Sequence, residues 1–348
     1  MGVTVYDIAR IDGVSRSTVC RALWDKGRIS AATRARIKKI AAEMNYRPND
    51  LARDLSTGRT RLVGVVADST YVPEFRWILE PVEEGLREAG YSMLFYTARD
   101  EPEVERVFCE DLLRKRVSGV IAFMSSSKPD RQAYRDLVNA GVKLVVVGDC
   151  VDHLDALFVV GDDYQVGRLV TEHLISLGHR RIANLAIPQT SYIGRERMRG
   201  FRDAMEDAGV PITASNVVET GFSEEDGARA AVRLLRRRQP PTAIIARHDA
   251  VAIGAMRAIF SAGLSVPEDV SVVGNANISV SDVLRAPLTT ISYPGRQMAA
   301  IGINKLLDVL AGRQVDTNPA ILGVELVVRS STAPPRDGTH QAIRPAAS

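Results

Sequence analysis

Gly13-Val14-Ser15-Arg16-Ser17-Thr18-Val19-Cys20-Arg21-Ala22-Leu23 reads as a turn followed by a capped helix. The glycine supplies a backbone conformation that other residues avoid. Ser15 offers its hydroxyl to the free N–H groups of the next turn. Wound at 100° per residue, Val19, Ala22 and Leu23 fall on one side, and Arg16, Ser17, Cys20 and Arg21 on the other. The first side suits packing. The second, two arginines and two small groups, suits the floor of a DNA major groove.

The flanking sequence supplies two more helices. Thr4 caps the first, with Asp7 as a box-like partner and Val5, Ile8, Ala9 and Ile11 as its apolar stripe. Ser30 caps the third, in which Ile37, Ile40, Ala41 and Met44 recur at helical spacing. A helix, a glycine turn and a second capped helix form a helix-turn-helix. A generic three-helix knot has the same pattern, and charge separates the two. Residues 1–61 carry 13 Lys/Arg against 6 Asp/Glu, whereas the remaining residues carry 32 against 36. A basic head on a mildly acidic body is the footprint of a polyanion binder.

After the third helix comes Tyr46-Arg47-Pro48-Asn49, where proline stops the helix. Asn49 caps a further helix of under two turns, closed by Gly58. Such a piece is too short to persist alone; it orders against DNA or its own copy in a second subunit. From residue 62 the pattern becomes β-rich runs at 62–67, 92–96, 119–124, 143–148, 158–161, 181–187, 242–246 and 270–274, separated by amphipathic helices. Continuous apolar runs of this kind imply parallel sheets covered on both faces. Eight units exceed one ordinary sheet, so the expected fold is an all-α helix-turn-helix headpiece plus an α/β bilobed domain of two doubly wound parallel sheets. Ligands of such folds sit beyond the carboxyl ends of the strands, here in the cleft between lobes. The expected boundaries are 1–46 for the headpiece, 47–60 for a hinge, 61–333 for the effector-binding and dimerisation domain, and 334–348 for a disordered tail poor in apolar residues.

Other classes find little support. No apolar run approaches a bilayer span, and the N-terminus lacks a secretory profile. Cys20, Cys109 and Cys150 show no pairing or metal spacing, so a reducing cytoplasm and free thiols are expected. Cys20 between arginines has the makings of a redox switch, against the plainer reading of a small residue where serine would do. His248 beside Asp249 lacks any accompanying nucleophile, metal spacing or phosphate loop. Neither catalytic residues nor a metal or cofactor are therefore expected. Asp162-Asp163 reads as a solvated strand end. A solute receptor sharing the bilobed body is the competing binding module, opposed by the basic head.

Several ordered motifs resemble the LacI/GalR family, the lactose and purine repressor type. They are Thr4-Val5-Tyr6-Asp7-Ile8-Ala9, the Gly13–Leu23 stretch, Tyr46-Arg47-Pro48-Asn49 and Leu51-Ala52-Arg53-Asp54-Leu55. Later come Leu177-Gly178-His179, Arg197-Met198-Arg199-Gly200-Phe201, Val266-Pro267-Glu268-Asp269-Val270 and Pro287-Leu288-Thr289-Thr290-Ile291. The resemblance covers nearly the whole chain. It implies a cytoplasmic, nucleoid-associated transcriptional repressor that binds a pseudo-palindromic double-stranded operator as a homodimer, with a tetramer left open, and no membrane partner. A small molecule in the body controls it allosterically.

Carried over by position, the resemblance makes Arg16, Ser17 and Arg21 base readers, with a phosphate-clamp role open for the two arginines. It makes Thr4, Ser15, Arg28, Ser30, Thr33, Tyr46 and Asn49 backbone contacts, and it sets Ala52 and the wedge Leu55 in the minor groove. It sets Phe75, Trp77, Asp149, Arg197, Phe222, His248 and Asp249 at effector-contacting positions. The chain departs from the family where Asn-Asp is replaced by His248-Asp249, and where the acid that commonly grips sugar hydroxyls is replaced by Ala276. Two effector readings follow. One is a sugar acid or sugar phosphate held by Arg197 with protonated His248 as second donor. The other is a neutral sugar gripped by Asp149 and Asp249.

Overall fold

The computed structural model describes residues 3–25, 27–47, 60–67, 75–98, 101–124, 131–213 and 216–336, with the side chains of 75–77 excepted. The chain separates into two compact units, Met1–Thr60 and Arg61–Ser348.

In the first unit the described helices are α1 (Val5–Asp12), α2 (Arg16–Leu23) and α3 (Ala31–Glu43). Asp7 accepts from the Thr4 N–H at 2.9 Å and from its hydroxyl at 2.7 Å. Ser15 and Ser30 accept from the N–H of Thr18 and Thr33. Gly13 ends α1 in the left-handed conformation, φ +65°. Ile8, Val19, Ala22 and Ile37 are fully buried together, with Ala41 beside them. Ile11, expected in the apolar stripe of α1, is instead 57% exposed; at 100° per residue it falls at the edge of the stripe, and Asp12, between Val5 and Ile8 in angle, takes the covered place against Arg36 of α3 with its side chain 3% exposed.

The second unit has two lobes. In lobe 1, β1 (Leu62–Ala67), β2 (Ser92–Thr97), β3 (Gly119–Phe123), β4 (Lys143–Val147), β5 (Leu157–Gly161) and β11 (Ala320–Leu322) form a parallel sheet in the order β11-β5-β4-β3-β1-β2. Its helices are α4 (Phe75–Glu88), α5 (Pro102–Arg114), α6 (Arg131–Asn139) and the late α11 (Gly295–Leu310). In lobe 2, β6 (Ile182–Ala186), β7 (Val217–Glu219), β8 (Ala243–Ala246) and β9 (Ser271–Val273) form a parallel sheet in the order β7-β6-β8-β9. Its helices are α7 (Asp163–Ser176), α8 (Tyr192–Asp207), α9 (Glu224–Leu235) and α10 (Asp249–Ser261). An antiparallel pair, β10 (Thr290–Ser292) with β12 (Glu325–Val327), joins the chain crossings.

Each sheet is buried on both faces, which explains the unbroken apolar runs: Val63 and Val65 pack into one core of lobe 1 and Val66 into the other. The chain crosses between lobes at residues 161–163, 292–295 and 322–325. All eight expected runs are strands. Missed are β7, β10, β11 and β12, each of three residues, too short to carry a period. The tail expectation is corrected at its start. Residues 334–336 are placed, with Arg336 3.1 Å from Asp269 and the preceding Ala333 carbonyl 2.9 Å from the buried His179 Nε2. Residues 337–348 lie outside the described residues.

Two helix pairs meet backbone to backbone. A Cβ on Gly167 (α7) would strike the Arg197 carbonyl of α8, and one on Gly200 (α8) the Tyr164 carbonyl of α7. Gly227 (α9) and Gly254 (α10) make the same reciprocal approach, to Val251 and Glu224. The α7–α8 contact brings the start of α7 beside the first turns of α8. Gly254→Ala should therefore cost about 1–3 kcal/mol through overpacking, although alanine is the better helix former by about 1 kcal/mol. Urea unfolding measures it, and a stabilised variant would refute the close approach.

Candidate functional site

In the first unit, α2 presents two exposed arginines on one face. Arg16, Ser17 and Arg21 are exposed on α2, opposite the buried Val19 and Ala22, and Cys20 is half-buried between them. Most basic side chains around this face are neutralised from within. Arg10 pairs with Asp7, Arg34 and Lys38 with Asp25, Arg36 with Asp12, and Lys39 with Glu43. Arg16, Arg21, Arg28 and Arg47 have no carboxylate partner among the described residues. Cations without internal counter-ions are the ones available to phosphates and base edges.

The expected backbone contacts divide by location. Thr4, Ser15, Arg28 and Ser30 are exposed, and Thr33 is half-buried. Tyr46 packs against the headpiece core. The Arg21 stem lies across Gly27, where a Cβ would come within 3.2 Å of it. Asn49, Ala52 and Leu55 lie outside the described residues.

In the second unit, polar groups gather where the lobes join. Arg197, on α8, donates through Nε to Asp163 Oδ1 at 2.7 Å, through Nη2 to the Tyr293 hydroxyl at 2.8 Å and through Nη1 to the Arg247 carbonyl at 3.1 Å. Tyr293 in turn donates to Asp163 at 2.9 Å. Asp163 opens α7 at the first crossing, and Tyr293 stands in the second. Burial raises the Asp163 carboxyl, while Arg197 and Tyr293 oppose that rise; two donors on one oxygen serve the carboxylate form. The Tyr293 hydroxyl is raised by burial. The Arg197 charge and the nearby Asn275 side chain oppose that rise. The Asn275 Oδ1 is buried without a partner among the described residues. Behind Arg197 lies a narrow pocket open to solvent, lined by Thr171, Asn184, Met198, Phe201 and Asn275 among others.

Asp149, just after β4, accepts from the Cys150 N–H at 2.8 Å, and the Ile193 N–H of lobe 2 lies near enough to help hold its carboxyl down. Burial pushes its carboxyl up to about 7, and nearby Asp163 adds to the rise. Burial likewise pushes the Cys150 thiol up to about 12, so it is no ready nucleophile. Two more contacts bridge the lobes: Arg195 to Asp152 at 2.9 Å and Arg131 to the Thr190 carbonyl at 3.3 Å. Phe222 lies against His248 with ring centroids 4.3 Å apart, and the Arg247 guanidinium sits 5.4 Å from the Phe222 ring.

The structure brings Asp149, Arg197, Phe222 and His248 to this junction. Phe75 and Trp77 begin α4, with their side chains outside the described residues. Three expectations are corrected. His248 is no cationic donor. It is 8% exposed, its Nδ1 accepts from the Ala250 N–H at 3.2 Å as the cap of α10, and burial with Arg197 and Arg247 nearby pushes it down to about 3. Asp249 does not face a ligand. It is fully buried, with Oδ1 accepting from Thr290 Oγ1 and Oδ2 from Ser281 Oγ and the Ile278 N–H. Asp163 is no solvated strand end, because it balances a buried arginine. Sequence reasoning missed Tyr293, Arg247 and Asn275, whose partners lie far along the chain. Among the described residues, no cluster of three or more His, Cys, Asp or Glu could hold a metal, and no helix is long and apolar enough to cross a membrane.

Removing Asp163 leaves a buried guanidinium without its counter-ion, so Asp163→Ala should cost about 3–5 kcal/mol in denaturant unfolding. Arg195→Ala, in a solvent-exposed pair, should cost under about 1 kcal/mol; equal costs would contradict the buried pair. For His248 the folded value lies below the ordinary 6.5. The neutral ring therefore contributes stability that is complete above about pH 6.5 and is lost as pH falls toward 3. Its ring protons should show no titration by NMR between pH 8 and pH 5.

Comparison with known proteins supplies the lineage. Residues 4–49 match the bacterial regulatory proteins of the lacI family, and residues 171–332 the periplasmic binding protein-like domain. The chain is 34% identical over 335 residues to the HTH-type transcriptional regulator DegA of Bacillus subtilis (strain 168), covering 96% of this chain and 99% of that protein. Its fold is similar to the lac repressor dimer bound to operator and the anti-inducer ONPF, with a TM-score of 0.79 and 31% identity over 96% of this chain and 100% of that one. It is also similar to the complex of the transcriptional regulator CelR with cellobiose, with a TM-score of 0.72 and 29% identity over 94% and 99% of the two chains. These relatives are transcriptional regulators, not enzymes. The chain belongs to the LacI family of DNA-binding transcriptional regulators, a helix-turn-helix unit joined to a periplasmic-binding-protein-like ligand domain.

Proposed function

We propose that this regulator represses transcription in the cytoplasm, binding a pseudo-palindromic operator as a homodimer and releasing or gripping it according to a neutral sugar bound where the lobes of its second unit meet. The observation that carries the ligand reading is the set of polar groups bridging the lobes at the chain crossings. A ligand that exchanges hydrogen bonds there stabilises one lobe angle over another, and differential affinity for two states is the requirement for control. The segment 47–60 links that change to the headpiece, with Leu55 as the minor-groove wedge and Ala52 beside it.

Neutrality follows from charge. The Arg197 guanidinium is already balanced by Asp163, and His248 brings no proton. A sugar acid or phosphate would enter beside the carboxyl groups of Asp149 and Asp163, which oppose a further negative charge. Asp149 offers an acceptor to sugar hydroxyls, and the Phe222–His248 pair offers a flat face to a ring. The likeness to a regulator in complex with cellobiose agrees with this chemistry.

Calorimetry with neutral mono- and disaccharides and their aldonic acids tests the ligand. The neutral form should bind more tightly, and a tighter acid whose advantage vanishes in Arg197→Ala would reverse the assignment. On DNA selected from a random pool, Arg21→Ala should relax base preference at one position per half-site. Arg28→Ala should instead weaken all sequences alike and flatten the salt slope by roughly one. Uniform loss in both variants would make Arg21 a phosphate clamp.

A further inference from the structure

Tyr6 is the second residue of α1 and is 62% exposed, so it holds no core together. Its ring carries a passenger. The Arg16 guanidinium carbon lies 4.4 Å from the ring centroid, and Arg16 Nη1 donates to the Tyr6 hydroxyl. Among the described residues Arg16 is the one side chain hydrogen-bonded to Tyr6, and no carboxylate pairs with Arg16. Arg16 opens α2 next to its cap Ser15, and the N-terminal residues of a recognition helix are those that reach base edges.

An exposed arginine ordinarily spends its time over many rotamers, and ordering it opposes binding. Here the attraction of a cation to an aromatic face and one hydrogen bond fix the guanidinium plane before DNA arrives. The bond to Tyr6 engages Nη1 and leaves the edge formed by Nε and Nη2 free. That edge has the spacing for a bidentate contact to O6 and N7 of guanine.

We propose that Tyr6 is a specificity-determining positioning residue, which orients Arg16 so that the pair reads one guanine in the major groove. The inference rests on the operator-binding reading above and assigns a role to a residue on a different helix from the reader.

The test uses the full chain and DNA selected from a random pool with the wild-type protein, at fixed salt. Affinities are measured for the selected site and for its single-base variants. Arg16→Ala should reduce the preference for guanine at one position per half-site by on the order of tenfold or more. Tyr6→Ala should reduce the same preference, at that position alone, by about fivefold. Tyr6→Phe, which keeps the ring and loses the hydroxyl, should recover at least half of it. In the Arg16→Ala background, Tyr6→Ala should change nothing further. Uniform weakening by Tyr6→Ala across all sequences, or an effect fully additive with Arg16→Ala, overturns the proposal and makes Tyr6 an independent contact. If Arg16→Ala leaves base preference intact, the assignment of Arg16 as a reader fails, and the inference falls with it. If the pool yields no selected sequence, the operator reading itself is lost.

Discussion

The second unit depends on one buried ion pair. Arg197 and Asp163 face each other where α7 leaves lobe 1 and α8 runs through lobe 2, with side-chain exposures of 17% and 2%. Burying either charge alone would be prohibitive, so the pair must stay together whenever the junction is closed. The glycine contacts between α7 and α8 make that possible, because only helices that touch backbone to backbone hold the first residue of one against the first turns of the other. Tyr293 then ties a second chain crossing to the same carboxylate, so two of the three links between lobes end on one oxygen.

This arrangement suits a binding cleft better than a rigid core. Arg195 of lobe 2 reaches Asp152, and Arg131 of lobe 1 reaches the Thr190 carbonyl. Each contact is a hydrogen bond or an exposed ion pair, worth about 1 kcal/mol or less on balance. They exchange against ligand or water at little cost. The buried members of the apolar cores, by contrast, stay within each lobe, and Tyr293 at the crossing packs against a core of each. A lobe can therefore turn against its partner without repacking its interior.

The headpiece was legible because its signals are local. Thr4 with Asp7, Ser15 with Thr18 and Ser30 with Thr33 are partners three residues apart, and the buried set Ile8, Val19, Ala22 and Ile37 follows from helical spacing. Helix ends and faces of this kind need no knowledge of the rest of the chain. The misplacement of Ile11 marks the limit, since a period orders residues by angle and does not say where the covered stripe ends. The same holds in the body, where long buried strands announced themselves and the three-residue strands did not, because β11 and β12 pair with segments more than 30 residues away.

For the candidate site, the sequence by itself determined which residues are chemically able to act: Arg16 and Arg21 on one helix face, Asp149 and His248 just after strands, and Arg197 on a helix. Only the tertiary structure decided what state they are in. Burial keeps His248 neutral, three donors seal Asp249, and Asp163 balances Arg197. Charge state and availability depend on desolvation and on partners 29 to 130 residues distant, and one-dimensional spacing holds no record of either.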